Sequence, residues 1–310
     1  MKLAFVYAGQ GSQKVSMGKD FYEQFLSVRN VFDNAPVDFD LKKLCFEGPE
    51  TILSQTKYTQ PCMVAFAAAV TDLLKREEIV PSAAAGLSLG EYSALYAAGA
   101  FNLETVLSIA AYRGKIMEES TAGIKSEMIA ILGLSEEAVQ QAVAQAKDLG
   151  VCEIANRNCS GQIVIGGEKN AVEIAAEHAK KLGAKRCVSL NVSGPFHTSL
   201  MEKASEKLAE KLDEVTISPM QFPVVFNATG EALADSTKIR ELLVKQIKSS
   251  VLFEQSIKTM ESMGIDTIVE IGPGKVLSGF IKKTARSIRL YQIQDVPGFF
   301  ETVKALKGEL

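Results

Sequence analysis

The chain contains no tryptophan and only two histidines in 310 residues, and no block of charge of one sign. A formal net charge of −3 gives no electrostatic case for binding nucleic acid or an anionic membrane. Apolar runs such as MVAFAAAV (63–70) fall well short of the ~20 residues needed to span a bilayer. The opening MKLAFVYAGQG has too brief an apolar stretch for a secretory signal and no small-residue cleavage site, so it reads as a first strand. The five cysteines (Cys45, Cys62, Cys152, Cys159 and Cys187) form no CxxC pair and no metal-ligand spacing. That pattern implies reduced thiols in a cytoplasmic setting, and nothing in the chain implies a metal or an organic cofactor. The scarcity of histidine has a use of its own: a catalytic base has few places to sit.

At this length the chain has room for roughly two domains. LAFVY (3–7) reads as a strand ending in the glycine loop AGQGSQ, and helices are expected around 20–34 and from about Gln60 to Glu78. SAAAG (82–86) is a short apolar run, followed by helices over 89–100, with Gly99 to stop it, and over 102–120. Strand and helix in alternation argue for a parallel α/β layer. From 127 the style changes. EMIAILGL (127–134), a helix over 135–150 capped by Ser135, VCEIANRN (151–158), GQIVIGG (161–167), a helix over 170–183 and KRCVSLNV (185–192) give the order β-α-β-β-α-β. In the second helix Asn170 and Glu173 are spaced like a capping box. This is the ferredoxin-like unit. The expected division is a discontinuous domain, 1–123 and 194–310, interrupted by an insert over 124–193. Strands are expected again at FPVVFN (222–227), DTIVEIG (266–272) and RLYQI (289–293).

Gly86-Leu87-Ser88-Leu89-Gly90 fits G-x-S-x-G, with an apolar run before it and a helix after. The glycines leave room for a serine on a sharp strand-to-helix turn, and the helix N-terminus offers free N–H groups to a developing oxyanion. Read alone, the motif serves a nucleophile or a helix N-cap serine equally well. A serine nucleophile needs a base. His178 sits mid-helix among Ala, Glu and Lys and reads as a solvent-facing residue. His197, in NVSGPFHTSLM, lies where the insert rejoins the larger domain, and sites tend to form at such seams. No Asp or Glu announces itself as a third member, which leaves a backbone carbonyl or an amide side chain as the orienting group. Arg113, in IAAYRGKIM, either captures a carboxylate through its fork of donors or pairs at the surface with Glu118 or Glu119. The loop at 9–13 is no phosphate cradle, because Lys14 occupies the last glycine position of GxGxxG, and neither Gly18-Lys19 nor IGPGKVL (271–277) completes a P-loop.

Taken in order, GQGSQ (9–13), TQP (59–61), GLSLGEYSAL (86–95), RGKIM (113–117), NRNCSGQIVIGG (156–167), GPFH (194–197), Gln246 and EIGPGKVLSG (270–279) resemble, end to end, the bacterial malonyl-CoA:acyl-carrier-protein transacylases of fatty acid synthesis. The resemblance implies an α/β-hydrolase-like large domain with a parallel sheet and a ferredoxin-like insert. It implies malonyl transfer from malonyl-CoA to the phosphopantetheine thiol of holo-acyl carrier protein, by a monomer. Ser88 matches the nucleophile and His197 its base; the N–H groups of Gln10 and Leu89 match the oxyanion hole. Arg113 matches the residue gripping the malonyl carboxylate, and Gln246 the one whose carbonyl orients the histidine. Gln60 and Met117 match pocket positions. Phe196 and Leu89 are like the malonyl-selective rather than the methylmalonyl-selective members. A serine thioesterase or hydrolase, and a trans-acting acyltransferase of a polyketide pathway, are the alternative readings. Leu87 stands where many members have histidine, and Ser250 and Phe253 where Pro and Trp are common.

Overall fold

The computed structural model describes residues 1–308. Its larger sheet takes strands β1 (Leu3–Tyr7), β2 (Ala83–Gly86), β7 (Val224–Val225), β8 (Ala232–Leu233), β9 (Thr267–Ile271) and β10 (Arg289–Ile293) in the order β10-β9-β1-β2-β7-β8. All pairings are parallel except the short β7–β8 hairpin. β1 is buried along its whole length because both faces of the sheet are covered. Leu3, Phe5 and Tyr7 enter one apolar core, Ala4 and Val6 the other. The chain runs from β1 to β2 on one side and returns through β9 and β10 on the other. The loops after β1 and β2 therefore flank a switch point, where open α/β sheets form their crevices.

The second sheet is antiparallel and built from β3 (Ser126–Leu132), β4 (Cys152–Cys159), β5 (Gln162–Glu168) and β6 (Arg186–Ser189), in the order β4-β5-β3-β6. Helices Glu136–Ala144 and Lys169–Lys181 supply Val139, Ala142, Val172 and Ala175 to a separate small core beneath it. The molecule is thus a parallel-sheet α/β unit carrying a ferredoxin-like βαββαβ unit. Strand β4 is the edge of the small sheet, and its exposed backbone groups are taken up by the segment after Gln246: Arg157 N–H donates to the Val251 carbonyl at 2.8 Å and Val251 N–H to the Ala155 carbonyl at 2.9 Å. The small sheet meets the larger unit along this seam.

Several expected boundaries move. The helix expected from Gln60 begins at Thr56 and carries Pro61 inside it, so the proline does not mark its start. The helix expected around 20–34 breaks at Phe25, whose extended backbone separates Lys19–Gln24 from Leu26–Asp33. Asn170 caps nothing. Strand β5 runs straight into helix Lys169–Lys181, so Asn170 is already helical and cannot adopt a cap conformation. Ser135 does cap its helix, accepting from Ala138 N–H, but that helix ends at Ala144 and a 3-10 turn, Lys147–Leu149, follows. Only Val224–Val225 of 222–227 pairs as strand. Among the described residues, no helix is long and apolar enough to cross a membrane.

Candidate active site

Ser88 stands between the buried end of β2 and helix Gly90–Ala97, with φ 51°, a left-handed conformation that residues bearing a Cβ rarely adopt. The glycines around it are there for lack of space. A Cβ on Gly86 would lie 1.9 Å from the Gly90 carbonyl carbon, and one on Gly90 would lie 2.1 Å from the Tyr7 carbonyl oxygen. A Cβ on Gly9 would lie 2.4 Å from the Leu87 carbonyl oxygen, so the first glycine loop is pressed against the serine turn.

His197 also has positive φ, 63°, and presents Nε2 2.7 Å from Ser88 Oγ. Its Nδ1 lies 2.8 Å from the main-chain carbonyl of Gln246, which can only accept. Nδ1 therefore carries the proton, and Nε2 is free to accept from the serine hydroxyl. The orienting group left open by the sequence is a backbone carbonyl. Burial, and next the positive charge of Arg113, pull the imidazole down to about 4, against the opposing bond to Gln246. At neutral pH the ring is an uncharged acceptor.

Arg113, on helix Leu103–Ser120, is 1% exposed, which excludes a surface pair with Glu118 or Glu119. Nη1 donates to Gln60 Oε1 at 2.9 Å, and Nη2 to Gln246 Oε1 at 3.0 Å and to Ser88 Oγ at 3.2 Å. The guanidinium lies over the Tyr92 ring, 5.2 Å from its centroid, and Nε has no partner among the described residues. Its hydrogen bonds reach only neutral oxygens. Gln60 Nε2 lies 3.4 Å from Met117 Sδ and is held there as a support behind Arg113. Gln246 Nε2 donates to the Ser88 carbonyl at 3.0 Å.

The cleft in front of these groups is lined by Gln10, Ser88, Arg113, Met117, Phe196 and His197, with Met128, Asn158 and Leu190 facing them from the small-sheet side. Gln60 and Gln246 lie behind Arg113 instead of on the wall. The Leu89 side chain is buried in the core, but its N–H and that of Gln10 meet no acceptor among the described residues. Their neighbours are committed: Leu87 N–H donates to the Tyr7 carbonyl and Gly90 N–H to that of Leu87. Gln10 Nε2 is anchored to Thr56 Oγ1 at 3.0 Å. Leu87 lines the cleft and packs partly against the second core. Ser250 donates to the Ile154 carbonyl in the seam, and Phe253 is fully buried against Phe280; neither lines the cleft. His178 sits half-buried on its own helix, outside the cleft.

The sequence reading missed Asn227 and Glu91. Both are fully buried next to the serine turn. Asn227 Oδ1 accepts from Ser88 N–H at 2.6 Å, and Glu91 Oε2 accepts from Asn227 N–H at 2.5 Å. Burial raises the Glu91 carboxyl to about 8, against the Asn227 bond and the Arg113 charge. Glu91 directly follows the serine motif, three residues after Ser88, and a carboxyl so close to the nucleophile was the available signal. Asn227 had none.

A serine held in left-handed geometry on a neutral histidine, beside a buried arginine and two unpaired N–H groups, is equipped for acyl transfer. Residues 4–303 match the family described as the acyl transferase domain. The chain belongs to this family. It is 41% identical over 311 residues to the malonyl CoA-acyl carrier protein transacylase of Bacillus subtilis, covering 99% of this chain and 98% of the relative. The crystal structure of the malonyl CoA-acyl carrier protein transacylase from Clostridium perfringens superposes with a TM-score of 0.95 at 39% identity, covering 99% of this chain and 98% of that one. A malonyl-transacylase solved in complex with its type II polyketide synthase acyl-carrier protein superposes with a TM-score of 0.95 at 34% identity, covering 98% of this chain and all of that one.

Proposed function

We propose that this protein moves a malonyl group from malonyl-CoA to the phosphopantetheine thiol of holo-acyl carrier protein, supplying fatty acid synthesis as a cytoplasmic monomer. His197 Nε2 takes the Ser88 proton as Oγ attacks the thioester carbonyl. The oxyanion is held by the N–H groups of Gln10 and Leu89. The C–S bond then breaks, and the departing CoA sulfur takes the proton from His197, leaving a malonyl ester on Ser88. In the second half the carrier thiol gives its proton to His197 and attacks the ester, and Ser88 Oγ leaves with that proton. Splitting the transfer in two means that the two large thioesters never bind together.

Arg113 grips the distal carboxylate, with Gln60 and Gln246 holding its fork and Met117 and Phe196 walling the acyl group. Phe196 beside the Leu89 turn favours an unbranched α-carbon, a choice worth about 1–3 kcal/mol per methyl. The small unit, 124–193, closes the cleft opposite the serine, and 1–123 with 194–310 carries the catalytic groups.

The observation that carries this reading is Arg113: buried, 3.2 Å from the nucleophile, and hydrogen-bonded only to neutral groups. A burial of charge of this kind calls for an anionic partner, which a dicarboxylic acyl group brings. The test is mass spectrometry of the intact protein after malonyl-CoA exposure. A malonyl adduct on Ser88, absent from Ser88→Ala, is expected; an adduct surviving that substitution refutes the mechanism. Free malonate released as fast without carrier protein as malonyl-carrier forms with it would mark a hydrolase.

A further inference from the structure

The main chain of Ser88 is held by side chains from two separate elements, the segment after β7 and helix Ile239–Lys248. On one side Asn227, just past β7, reaches across β2. Its Oδ1 accepts from Ser88 N–H at 2.6 Å while its Nδ2 donates to the Gly86 carbonyl at 2.8 Å. One amide thus bridges the residue before the turn and the nucleophile. On the other side Gln246 Nε2 donates to the Ser88 carbonyl at 3.0 Å. Asn227 is itself fastened: its N–H donates to Glu91 Oε2 at 2.5 Å, and its carbonyl accepts from Leu252 N–H at 2.9 Å. All of its hydrogen-bonding groups are engaged, and it is 0% exposed.

Two consequences follow from that wiring. First, a left-handed φ of 51° persists at a residue with a Cβ only where its surroundings over-determine it; of the two peptide groups that set this angle, Asn227 fixes the one carrying Ser88 N–H and Gln246 the one carrying the Ser88 carbonyl. Release would let the turn relax and swing Oγ away from His197. Second, the bridge occupies Ser88 N–H. Leu87 and Gly90 N–H are already spent on carbonyls, so Leu89 is left as the one unengaged N–H of the turn among the described residues. Among the described residues the turn presents a single unengaged N–H, and Gln10, whose N–H is likewise unengaged, lines the same cleft from the first loop.

We propose that Asn227, locked by Glu91, is a positioning residue for acyl transfer: it holds the Ser88 turn in its strained form and confines the oxyanion to Leu89 and Gln10. This rests on the acyl-enzyme reading above. It touches neither the acyl carboxylate nor CoA, so it acts on the chemical step and not on binding.

The experiment is single-turnover labelling of Ser88 with radiolabelled malonyl-CoA, giving an acylation rate constant and an apparent Kd for each variant, normalised to the fraction that labels at completion. Asn227→Ala is expected to acylate about a hundredfold more slowly, as for a small displacement of a catalytic group, with Kd within about threefold of wild type. Asn227→Asp keeps the acceptor for Ser88 N–H and loses only the donor to Gly86, so it is expected to recover roughly tenfold of that loss. A purely architectural role would lower the labelled fraction and the melting temperature while leaving the rate of the active fraction unchanged. Acylation by Asn227→Ala within about threefold of wild type, a loss confined to Kd, or no recovery in Asn227→Asp overturns the proposal. If Asn227→Ala shows no cooperative thermal transition, Asn227→Asp decides alone: about tenfold slower at unchanged Kd supports the clamp, and the wild-type rate overturns it. Wild-type protein that takes no label at Ser88 overturns the acyl-enzyme reading and the clamp with it, whereas labelled wild type with an indifferent Asn227→Ala overturns the clamp alone.

Discussion

A general base must be neutral to take a proton, and the surroundings of His197, the base of the proposed reaction, favour its neutral form well into the acid range. Burial and Arg113 bring the ring from 6.5 to about 4, a penalty on the imidazolium of roughly 3 kcal/mol. Protonation removes the acceptor for the Ser88 proton, so the acylation rate should rise with pH through about 4 and stay level from about 5 to neutrality. The perturbation is Arg113→Ala. Through Ser88 Oγ the guanidinium lies within about 6 Å of Nε2, where a like charge repels by something on the order of 1–3 kcal/mol. Burial is the larger cause and remains in the variant, so the acid limb should move upward by roughly one pH unit and not return to 6.5. The assay is rapid-quench acylation after a brief pH jump, with acetyl-CoA as donor. Its acyl group has no carboxylate to titrate and needs no arginine, so the limb reports the base alone. A wild-type limb near 6.5, or a limb unmoved or lowered in Arg113→Ala, would refute the reasoning.

The same variant should lose malonyl transfer while acetyl transfer persists or improves; equal loss of both, by steady-state kinetics with each donor, excludes the carboxylate role. Gly9→Ala places a methyl 2.4 Å from the Leu87 carbonyl oxygen and should destabilise the fold by about 1–3 kcal/mol in urea titration. It should also depress kcat at temperatures where the variant remains folded, because the Gln10 N–H moves with the loop. Glu91 is held protonated by burial up to about 8, against 4.5 in the unfolded chain. The unfolded state therefore releases its proton first, and this contribution, a few kcal/mol, is whole below 4.5 and lost as pH rises through 8. Glu91→Gln should flatten the decline in melting temperature over that window; an unchanged slope would show that the carboxyl is not neutral in the fold.

The parts of the site that could be read from the chain are those announced by local constraint. G-x-S-x-G needs its glycines within a few residues of Ser88, and with two histidines in the chain the base had only two candidates. Arg113 was ambiguous because its helix neighbours do not reveal which side faces the core; packing against Tyr92, Gln60 and Gln246 decides it. The role of the Gln246 carbonyl was legible only through resemblance, since a main-chain oxygen has no residue-type signature. Asn227 left no trace because its partners lie 139 and 141 residues away, and β7 is too short to show periodicity. Asn170 illustrates the opposite error: the capping spacing is present, but a strand that runs directly into the helix overrides it.

The weakness of the base bears on which acceptor the acyl-enzyme chooses. A carboxylate behind His197 would stabilise the imidazolium; the Gln246 carbonyl, a neutral dipole, does so less, and burial and Arg113 act against it. A base near 4 contributes little driving force to deprotonating water, whose pKa is about 15.7. A thiol at about 8.5 is easier to activate by some seven units and is intrinsically the better nucleophile. Thiolate is also the better leaving group in the first half-reaction, so a weak acid–base pair suffices in both directions. Arg113 is thereby consistent with two demands at once. In the proposed reaction it would bind the acyl carboxylate, while its charge adds to burial in keeping His197 a weak base toward water.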